Sequence, residues 1–409
     1  MRFVLHSDLN NFYASVECLL DESLVGVPVI VCGKQEDRHG IVLAKNMIAK
    51  KLGVKTGMTI FEAQKLAPEL VMREARHDLY LKYSRAVKDI YREYTDRVES
   101  FGIDEAWLDI SNIAKSFDEA EKVADKIRQR VKDEIGLTVS IGVSFNKVFA
   151  KLGSDMKKPD AVTVISNEDV KSKVWRLPVE ELLYVGRATK KKLNNLTIRT
   201  IGDLACFDQK LLHSHLGKWG DVLYAYARGE DESEVKKCGN SDEIKSVGNS
   251  VTYYRDIKED EDVYALLLLI AESVSSRMLD YGYSYARTIS LTIITNSLCH
   301  IARSETLSSP TNLSSVIAEK AMELFKKNFR WSDGLVRGVG ISVSNFTNAE
   351  QLSMTEDYGK TKKLEALERA VENIRCRFGR HSLNRGIVLK EKKMEMLNIR
   401  DEHTIFPKM

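Results

Sequence analysis

The chain has 409 residues, and its 62 Lys and Arg against 59 Asp and Glu leave a formal net charge of +3 at pH 7. That length exceeds one ordinary hydrophobic core and predicts two to four domains, while the charge is smaller than most nucleic-acid binders carry. No apolar run reaches the roughly 20 residues that span a bilayer, and the N-terminus lacks the pattern of a signal peptide. The scattered cysteines, without CxxC spacing, argue against disulfides or a zinc site, so we expect a cytoplasmic protein with no membrane partner.

Residues 1–165 alternate between strand and helix patterns. Short β-branched runs predict strands at 27–31, 41–43, 138–143 and 162–165. Apolar residues at three- and four-residue spacing predict amphipathic helices at 79–94 and 120–135. The region therefore has the pattern of an α+β domain.

Three carboxylates are prominent in this region. Asp8 closes a short apolar run, and Asp104 and Glu105 are adjacent in a second strand-like run. Mg²⁺ prefers such hard anionic oxygens, and two ions about 3.5–4 Å apart can promote phosphoryl transfer. Each acid alone also fits an ordinary strand end that faces solvent. Because side chains alternate along a strand, convergence of Asp104 with Glu105 requires a tight hairpin.

From Pro178 onward the pattern changes. Residues 182–193, followed by 198–204, resemble a helix-hairpin-helix motif, and the polar stretch 233–245 predicts a linker. A β-α-β-β-α-β order follows, with predicted elements at 247–256, 261–279, 287–295, 299–306, 313–329 and 335–346. Residues 363–378 have the spacing of one more amphipathic helix.

Four segments resemble those of a known family. In chain order they are 6–17 (HSDLNNFYASVE), 100–109 (SFGIDEAWLD), 144–151 (SFNKVFAK) and 154–160 (SDMKKPD). Together they closely resemble the bacterial Y-family (DinB/UmuC-type) translesion DNA polymerases. The resemblance implies a multidomain α+β fold, a right-hand polymerase with a ferredoxin-like palm, small fingers, a helical helix-hairpin-helix thumb and a β-α-β-β-α-β little finger. The implied boundaries are palm 1–20 and 75–165, fingers 21–74, thumb 166–232, linker 233–245, little finger 246–346 and C-terminal tail 347–409.

The resemblance also assigns roles in the palm. Asp8, Asp104 and Glu105 would be the catalytic carboxylates and, with the backbone carbonyl of Leu9, would bind two Mg²⁺ ions, for which Mn²⁺ could substitute. Tyr13 would be the steric gate, a ring that leaves no room for a sugar 2′-hydroxyl. The residues expected to bind the incoming dNTP are Asn10, Asn11, Phe12, Tyr13, Lys45, Lys50 and Lys158. Without the family pattern, Tyr13 fits a core aromatic at a helix start and Lys158 fits a surface lysine.

One segment departs from the DinB pattern. Met47 and Lys50 occupy the places of a Tyr and an Arg that contact the nucleotide phosphates, which makes residues 44–51 closer to the UmuC branch. Lys50 keeps the charge but loses the bidentate fork of arginine. Lys45 could compensate.

Primer–template DNA and a bacterial sliding clamp are the implied macromolecular partners of a monomer. The expected DNA contacts are Gly186, Arg187, Thr189, Lys190, Ser250 and Thr252. Tyr184 stands where the thumb usually has its first glycine. Gln351, Leu352, Ser353 and Met354 resemble a clamp-binding peptide, although Thr355 replaces the aromatic anchor and such short matches also arise by chance.

Two rival functions remain open at this point. A nucleotidyl cyclase uses a similar palm and the same two-metal logic, but it needs no thumb, little finger or clamp peptide. A DNA-bound scaffold without activity would not need the intact set Asp8, Asp104 and Glu105. The sequence favours a template-directed, low-fidelity DNA polymerase over both.

Overall fold

The structure is a computed structural model that describes residues 1–33, 40–239, 243–348, 358–397 and 399. Its strands, in chain order, are β1 (Val4–Leu9), β2 (Val29–Cys32), β3 (Val42–Lys45), β4 (Val71–Glu74), β5 (Val98–Ser100), β6 (Glu105–Asp109), β7 (Val139–Ser144), β8 (Val162–Ile165), β9 (Ser246–Ile257), β10 (Tyr285–Thr295), β11 (His300–Thr311) and β12 (Val336–Thr347). Its α-helices are α1 (Phe12–Leu20), α2 (Met47–Lys51), α3 (Ile60–Leu66), α4 (His77–Arg92), α5 (Phe117–Arg130), α6 (Lys147–Met156), α7 (Arg187–Asn195), α8 (Ile201–Cys206), α9 (Gln209–Leu216), α10 (Lys218–Arg228), α11 (Asp260–Asp280), α12 (Ser314–Asn328), α13 (Tyr358–Phe378) and α14 (Lys392–Glu395).

The elements predicted from the sequence are confirmed, with ends shifted by a few residues. The described residues form two compact units, one of residues 1–33 and 41–239 and the other of 243–348, 358–397 and 399. The finer domain boundaries stay a prediction. Within the described ranges, no helix combines the length and apolar character needed to cross a membrane.

A five-stranded sheet of order β5-β6-β1-β7-β8 forms the frame of the first unit. Its central strand, β1, is antiparallel to both β6 and β7, and all six of its residues are buried. Helices cover both faces, since Val4 packs with Ala150 of α6 whereas Leu5 packs with Ala124 of α5. Gly142 of β7 allows α6 to approach closely, because a Cβ there would lie 1.9 Å from the Ala150 carbonyl oxygen.

Two smaller parts complete this unit. Strands β2, β3 and β4 form a sheet of order β3-β2-β4 with α2 and α3 beside it, in the region predicted to be the fingers. Helices α7 to α10 pack around a separate apolar cluster, in the region predicted to be the thumb. Tyr184 precedes α7 with φ +70°, the left-handed conformation that glycine would adopt without strain.

The predicted linker is more ordered than its composition suggests. Residues 233–239 carry no helix or strand, as expected, but Val235 is fully buried beside Val4 and Trp107. The Cys238 amide also donates to the Asp96 carbonyl. The first part of this stretch is therefore held against the first unit, because one valine suffices when it enters an existing apolar cluster.

The second unit is an antiparallel sheet of order β11-β10-β12-β9 with α11 and α12 on one face. Buried and exposed residues alternate along β9, since Val247, Val251 and Tyr253 are buried and Ser250 is exposed. The later part of the predicted tail joins the same core through Val388, Met394 and Ile399.

Candidate active site

The three acidic residues predicted from sequence, here called the acid cluster (Asp8, Asp104 and Glu105), meet at one end of β1. Asp8 pairs directly opposite Glu105 in the antiparallel register, so both side chains project from the same face of the sheet. Asp104 lies in the bend just before β6, where its carbonyl accepts the Leu9 amide at 3.0 Å. The required hairpin is therefore present, because strand alternation does not apply to a residue in the bend.

Two lysines of α6 and the loop after it neutralise part of the acid cluster. The Lys158 ammonium lies 2.7 Å from Asp8 and 2.8 Å from Asp155. The Lys151 ammonium lies 2.7 Å from Glu105. The charge of Lys88 also acts on Asp104, so four carboxylates, including Asp155, face three ammonium groups, which still leaves an excess of negative charge.

The electrostatic environment makes this excess costly. Burial raises the pKa of Asp8 to about 6, although Lys158 acts in the opposite direction. Burial, followed by the charges of Asp8 and Glu105, raises the pKa of Asp104 to about 6. Burial lowers the pKa of neighbouring His6 to about 3, so its imidazole adds no positive charge at neutral pH. The cluster therefore gains from an added cation.

The donor chemistry of this site fits a hard divalent cation, but the side chains are not yet arranged around one. Among the residues that the structure describes, no three His, Cys, Asp or Glu side chains are grouped closely enough to hold a metal ion. Lys158 and Lys151 instead form ion pairs with Asp8 and Glu105, through oxygens that a metal would use. Metal binding would displace these ammonium groups.

Tyr13 lies at the start of α1, beside the acid cluster. Its ring stacks on that of Tyr80, with centroids 4.2 Å apart and planes inclined by 13°. The His77 ring meets it edge-on at 5.9 Å and 87°. Burial, with a smaller effect of the Asp104 charge, raises the pKa of the Tyr13 hydroxyl.

Of the residues from Asn10 to Tyr13, which the resemblance assigns to nucleotide binding, Asn10 has other partners in this structure. The Asn10 amide already donates to the Thr138 carbonyl at 2.9 Å, so it cannot serve a phosphate in this arrangement. The Asn10 side chain is likewise engaged, since it accepts from the Ser140 hydroxyl at 2.9 Å. Phosphate binding by the amides from Asn11 to Tyr13 stays a prediction, because the first amides of a helix have no intrahelical acceptor.

The other predicted nucleotide contacts are unevenly placed. Lys158 lies within the acid cluster, as its ion pair with Asp8 shows. Lys45 on β3 donates to the Thr56 hydroxyl at 3.1 Å, and burial followed by the nearby Lys50 charge lowers its pKa. Lys50 is exposed on α2.

The predicted DNA contacts lie on exposed or half-exposed positions. Gly186 caps α7 with Arg187 exposed after it, while Lys190 is ion-paired with Glu180 at 2.5 Å. Ser250 and Thr252 alternate with the buried face of β9. The proposed clamp residues Gln351, Leu352, Ser353 and Met354 lie outside the described residues.

Sequence reasoning missed Lys151, Tyr80 and Glu17. Lys151 stands within the quoted segment 144–151, and its four-residue spacing from Asp155 places the two on one helix face. Tyr80 is 67 residues from Tyr13, and no local pattern indicated that their rings meet.

Comparisons with known proteins identify the family. The impB/mucB/samB family matches residues 7–155 and its C-terminal domain matches 244–355, while a thumb domain described for DNA polymerase-iota matches 181–231. DNA polymerase IV of Acetivibrio thermocellus is 50% identical over 399 residues, covering 97% of this chain and 100% of the relative. DNA polymerase IV of Moorella thermoacetica is 37% identical over 388 residues, covering 94% and 96%.

Solved structures show the same fold. A chimera of the Y-family DNA polymerases Dbh and Dpo4 superposes with a TM-score of 0.74 at 25% identity, covering 84% of this chain and 99% of the chimera. DinB from Sulfolobus solfataricus superposes with a TM-score of 0.58 at 24% identity over 84% and 99%, which supports the fold alone. The chain belongs to the Y family of DNA polymerases. Within that family, its relatives named above carry the name DNA polymerase IV.

Proposed function

We propose that this protein is a template-directed, low-fidelity DNA-dependent DNA polymerase for translesion synthesis, which transfers a nucleotide from dNTP to a primer 3′-hydroxyl. The observation that carries the proposal is the cross-strand pair Asp8 and Glu105 with Asp104 in the adjoining bend. The half-buried ring of Tyr13 and the ammonium of Lys158 border the same cluster. Carboxylates, a sugar-facing ring and a phosphate-binding lysine are what nucleotidyl transfer requires in one place.

The acid cluster would hold two Mg²⁺ ions together with the Leu9 carbonyl, and Mn²⁺ could substitute. Such ions, when bound, lower the pKa of the primer hydroxyl and stabilise the charge on the phosphates. Lys158 would then leave Asp8 and turn to the triphosphate, which offers it stronger anionic partners. Lys151 would likewise leave Glu105 and stay near Asp155, whose carboxylate lies 3.9 Å from its ammonium group.

The remaining predicted residues would orient the substrates. The amides from Asn11 to Tyr13, with Lys45 and Lys50, would hold the triphosphate, and the Tyr13 ring would stand against the sugar C2′. Gly186, Arg187, Thr189, Lys190, Ser250 and Thr252 would contact the DNA backbone, because the template rather than the protein specifies sequence. We expect a monomer that acts on DNA in the cytoplasm.

Primer extension with and without Mg²⁺ tests this proposal. We expect primer-dependent incorporation of the dNTP that the template specifies, and no product when the metal is chelated. Formation of a cyclic nucleotide without primer would favour the cyclase instead. Tight DNA binding with neither product would favour an inactive scaffold.

We further propose that residues 351–354 bind a bacterial sliding clamp. Burying one phenyl ring is worth about 1–2 kcal/mol at roughly 25 cal/mol per Å², so Thr355→Phe should lengthen clamp-dependent products. Changing Gln351 and Leu352 to Ala should shorten them without affecting extension in the absence of clamp. Identical product lengths for wild type and both variants with loaded clamp would refute clamp binding by this segment.

A further inference from the structure

A buried carboxylate lies behind the stacked rings of the site. Glu17, only 2% exposed, follows Tyr13 by one turn of α1. Its Oε1 accepts the Tyr80 hydroxyl at 2.6 Å and the Arg76 Nε at 3.0 Å, and its Oε2 accepts the Arg76 Nη2. A buried carboxylate is costly unless it is paired and hydrogen-bonded, and both conditions are met here.

Glu17 is not a fourth acid of the metal site. One of its oxygens accepts from Arg76 and Tyr80 and the other accepts from Arg76, so neither is left for a metal ion. Arg76 is the residue before α4, with its side chain about half exposed. The ion pair therefore joins the start of α4 to α1 and leaves Glu17 a structural role.

Tyr80 connects this carboxylate to Tyr13. Tyr80 is fully buried, and its ring lies parallel to that of Tyr13 at 4.2 Å. A charge-assisted hydrogen bond at the para-hydroxyl fixes the far end of the Tyr80 ring. The far end of the ring cannot move away from Tyr13 without breaking that bond, while packing of the buried ring limits its rotation.

The position of the Tyr13 ring follows from this support. One face packs on Tyr80, and the edge of His77 closes a second side. A steric gate excludes a hydroxyl group only if its own ring cannot retreat by the width of an oxygen atom. Small displacements of a positioned group change reaction rates strongly.

We propose that Glu17 is a positioning residue for sugar selection, which holds the Tyr13 ring in place through the hydroxyl of Tyr80 and is itself held by Arg76. The inference rests on the proposed function, in which Tyr13 is the steric gate. It predicts that removing a hydrogen bond remote from the nucleotide changes the choice between ribose and deoxyribose.

The test compares the catalytic efficiencies for rNTP and dNTP insertion by the full chain. Tyr80→Phe removes the hydroxyl and keeps the stacked ring, and Glu17→Gln keeps the shape but weakens the bonds. Each should raise the rNTP to dNTP efficiency ratio by about threefold to tenfold, the range of one lost hydrogen bond, with a smaller change in dNTP insertion. A ratio from one preparation is independent of how much of the enzyme is folded.

Tyr91→Phe is the matched control. Tyr91 is an equally buried tyrosine of α4 whose hydroxyl bonds to Ser7 at 2.7 Å, away from the stacked rings. Its loss should leave the ratio unchanged. If Tyr13→Ala raises the ratio but Tyr80→Phe and Glu17→Gln do not, or if Tyr91→Phe raises it equally, Glu17 does not position the gate. If Tyr13→Ala leaves the ratio unchanged, the gate assignment itself fails, and the inference with it.

Discussion

Glu17 and the acid cluster differ in how completely their negative charges are neutralised. Glu17 is fully supplied with donors from Arg76 and Tyr80. The acid cluster has three carboxylates, with raised pKa values at Asp8 and Asp104, although Lys151, Lys158 and Lys88 lie near it. A satisfied carboxylate holds other groups in place, whereas an incompletely neutralised cluster is ready to accept a cation.

The basic side chains that pair with Glu17 and with the acid cluster also differ. Arg76 engages Glu17 through two nitrogen atoms of its planar fork. Lys151 and Lys158 use single ammonium groups on flexible stems, which can exchange one anion for another. Arginine therefore stands where the contact must persist, and lysine where it must be released.

Removing an acid from each group should have opposite effects on stability. Asp104→Asn should lower primer extension at least about a hundredfold, equivalent to about 2.8 kcal/mol. Thermal unfolding of the metal-free protein should be unchanged or shifted to higher temperature, because one repelling charge is gone. A variant that retains more than about a hundredth of the wild-type rate would remove Asp104 from the catalytic set.

Glu17→Ala should instead destabilise the fold by about 2–3 kcal/mol, because it leaves the buried Tyr80 hydroxyl without an acceptor. Urea denaturation of the metal-free protein measures this difference in free energy of unfolding. If Glu17→Ala lowers the free energy of unfolding no more than Asp104→Asn does, the two carboxylates contribute equally to stability.

The repulsion within the acid cluster should make the stability of the protein depend on pH. The folded pKa of about 6 at Asp8 and Asp104 lies above the ordinary value of 3.8, so the native state binds these protons more tightly than the unfolded chain. Their contribution to stability is therefore present below about pH 4 and is lost as the pH rises to about 6. The gain in stability from Asp104→Asn over wild type should be near zero at pH 4 and complete above pH 6. A gain that is constant across this range would contradict the raised pKa.

The smallest expected effect concerns the lysines. Lys151→Met removes an ammonium group that competes with a cation for Glu105, so the Mg²⁺ concentration for half-maximal extension should fall about threefold. Lys147→Met is the matched control, because Lys147 is on the same helix and pairs with Glu99 at 2.8 Å. An equal shift in both variants would indicate a general change in charge rather than competition at Glu105.

Several residues of this site were predicted from the sequence. Asp8, Asp104 and Glu105 were identified by their places beside apolar runs, and Tyr13 by the segment around it. These features depend on residues close in the chain, where strand and helix periodicities apply. No local pattern indicated that the Asn10 amide donates to the Thr138 carbonyl, because Thr138 lies on a distant part of the chain.

By itself, the sequence determined the order of helices and strands, the family and the identity of the acid cluster. Only the tertiary structure decided that Asp104 lies in a bend, that Lys151 neutralises Glu105, and that Glu17 reaches the Tyr13 ring through Tyr80. The physical reason is that periodicity fixes which face of an element a side chain occupies. Contacts between elements depend on how those faces pack, and residues 46 to 67 positions apart meet only in the folded chain.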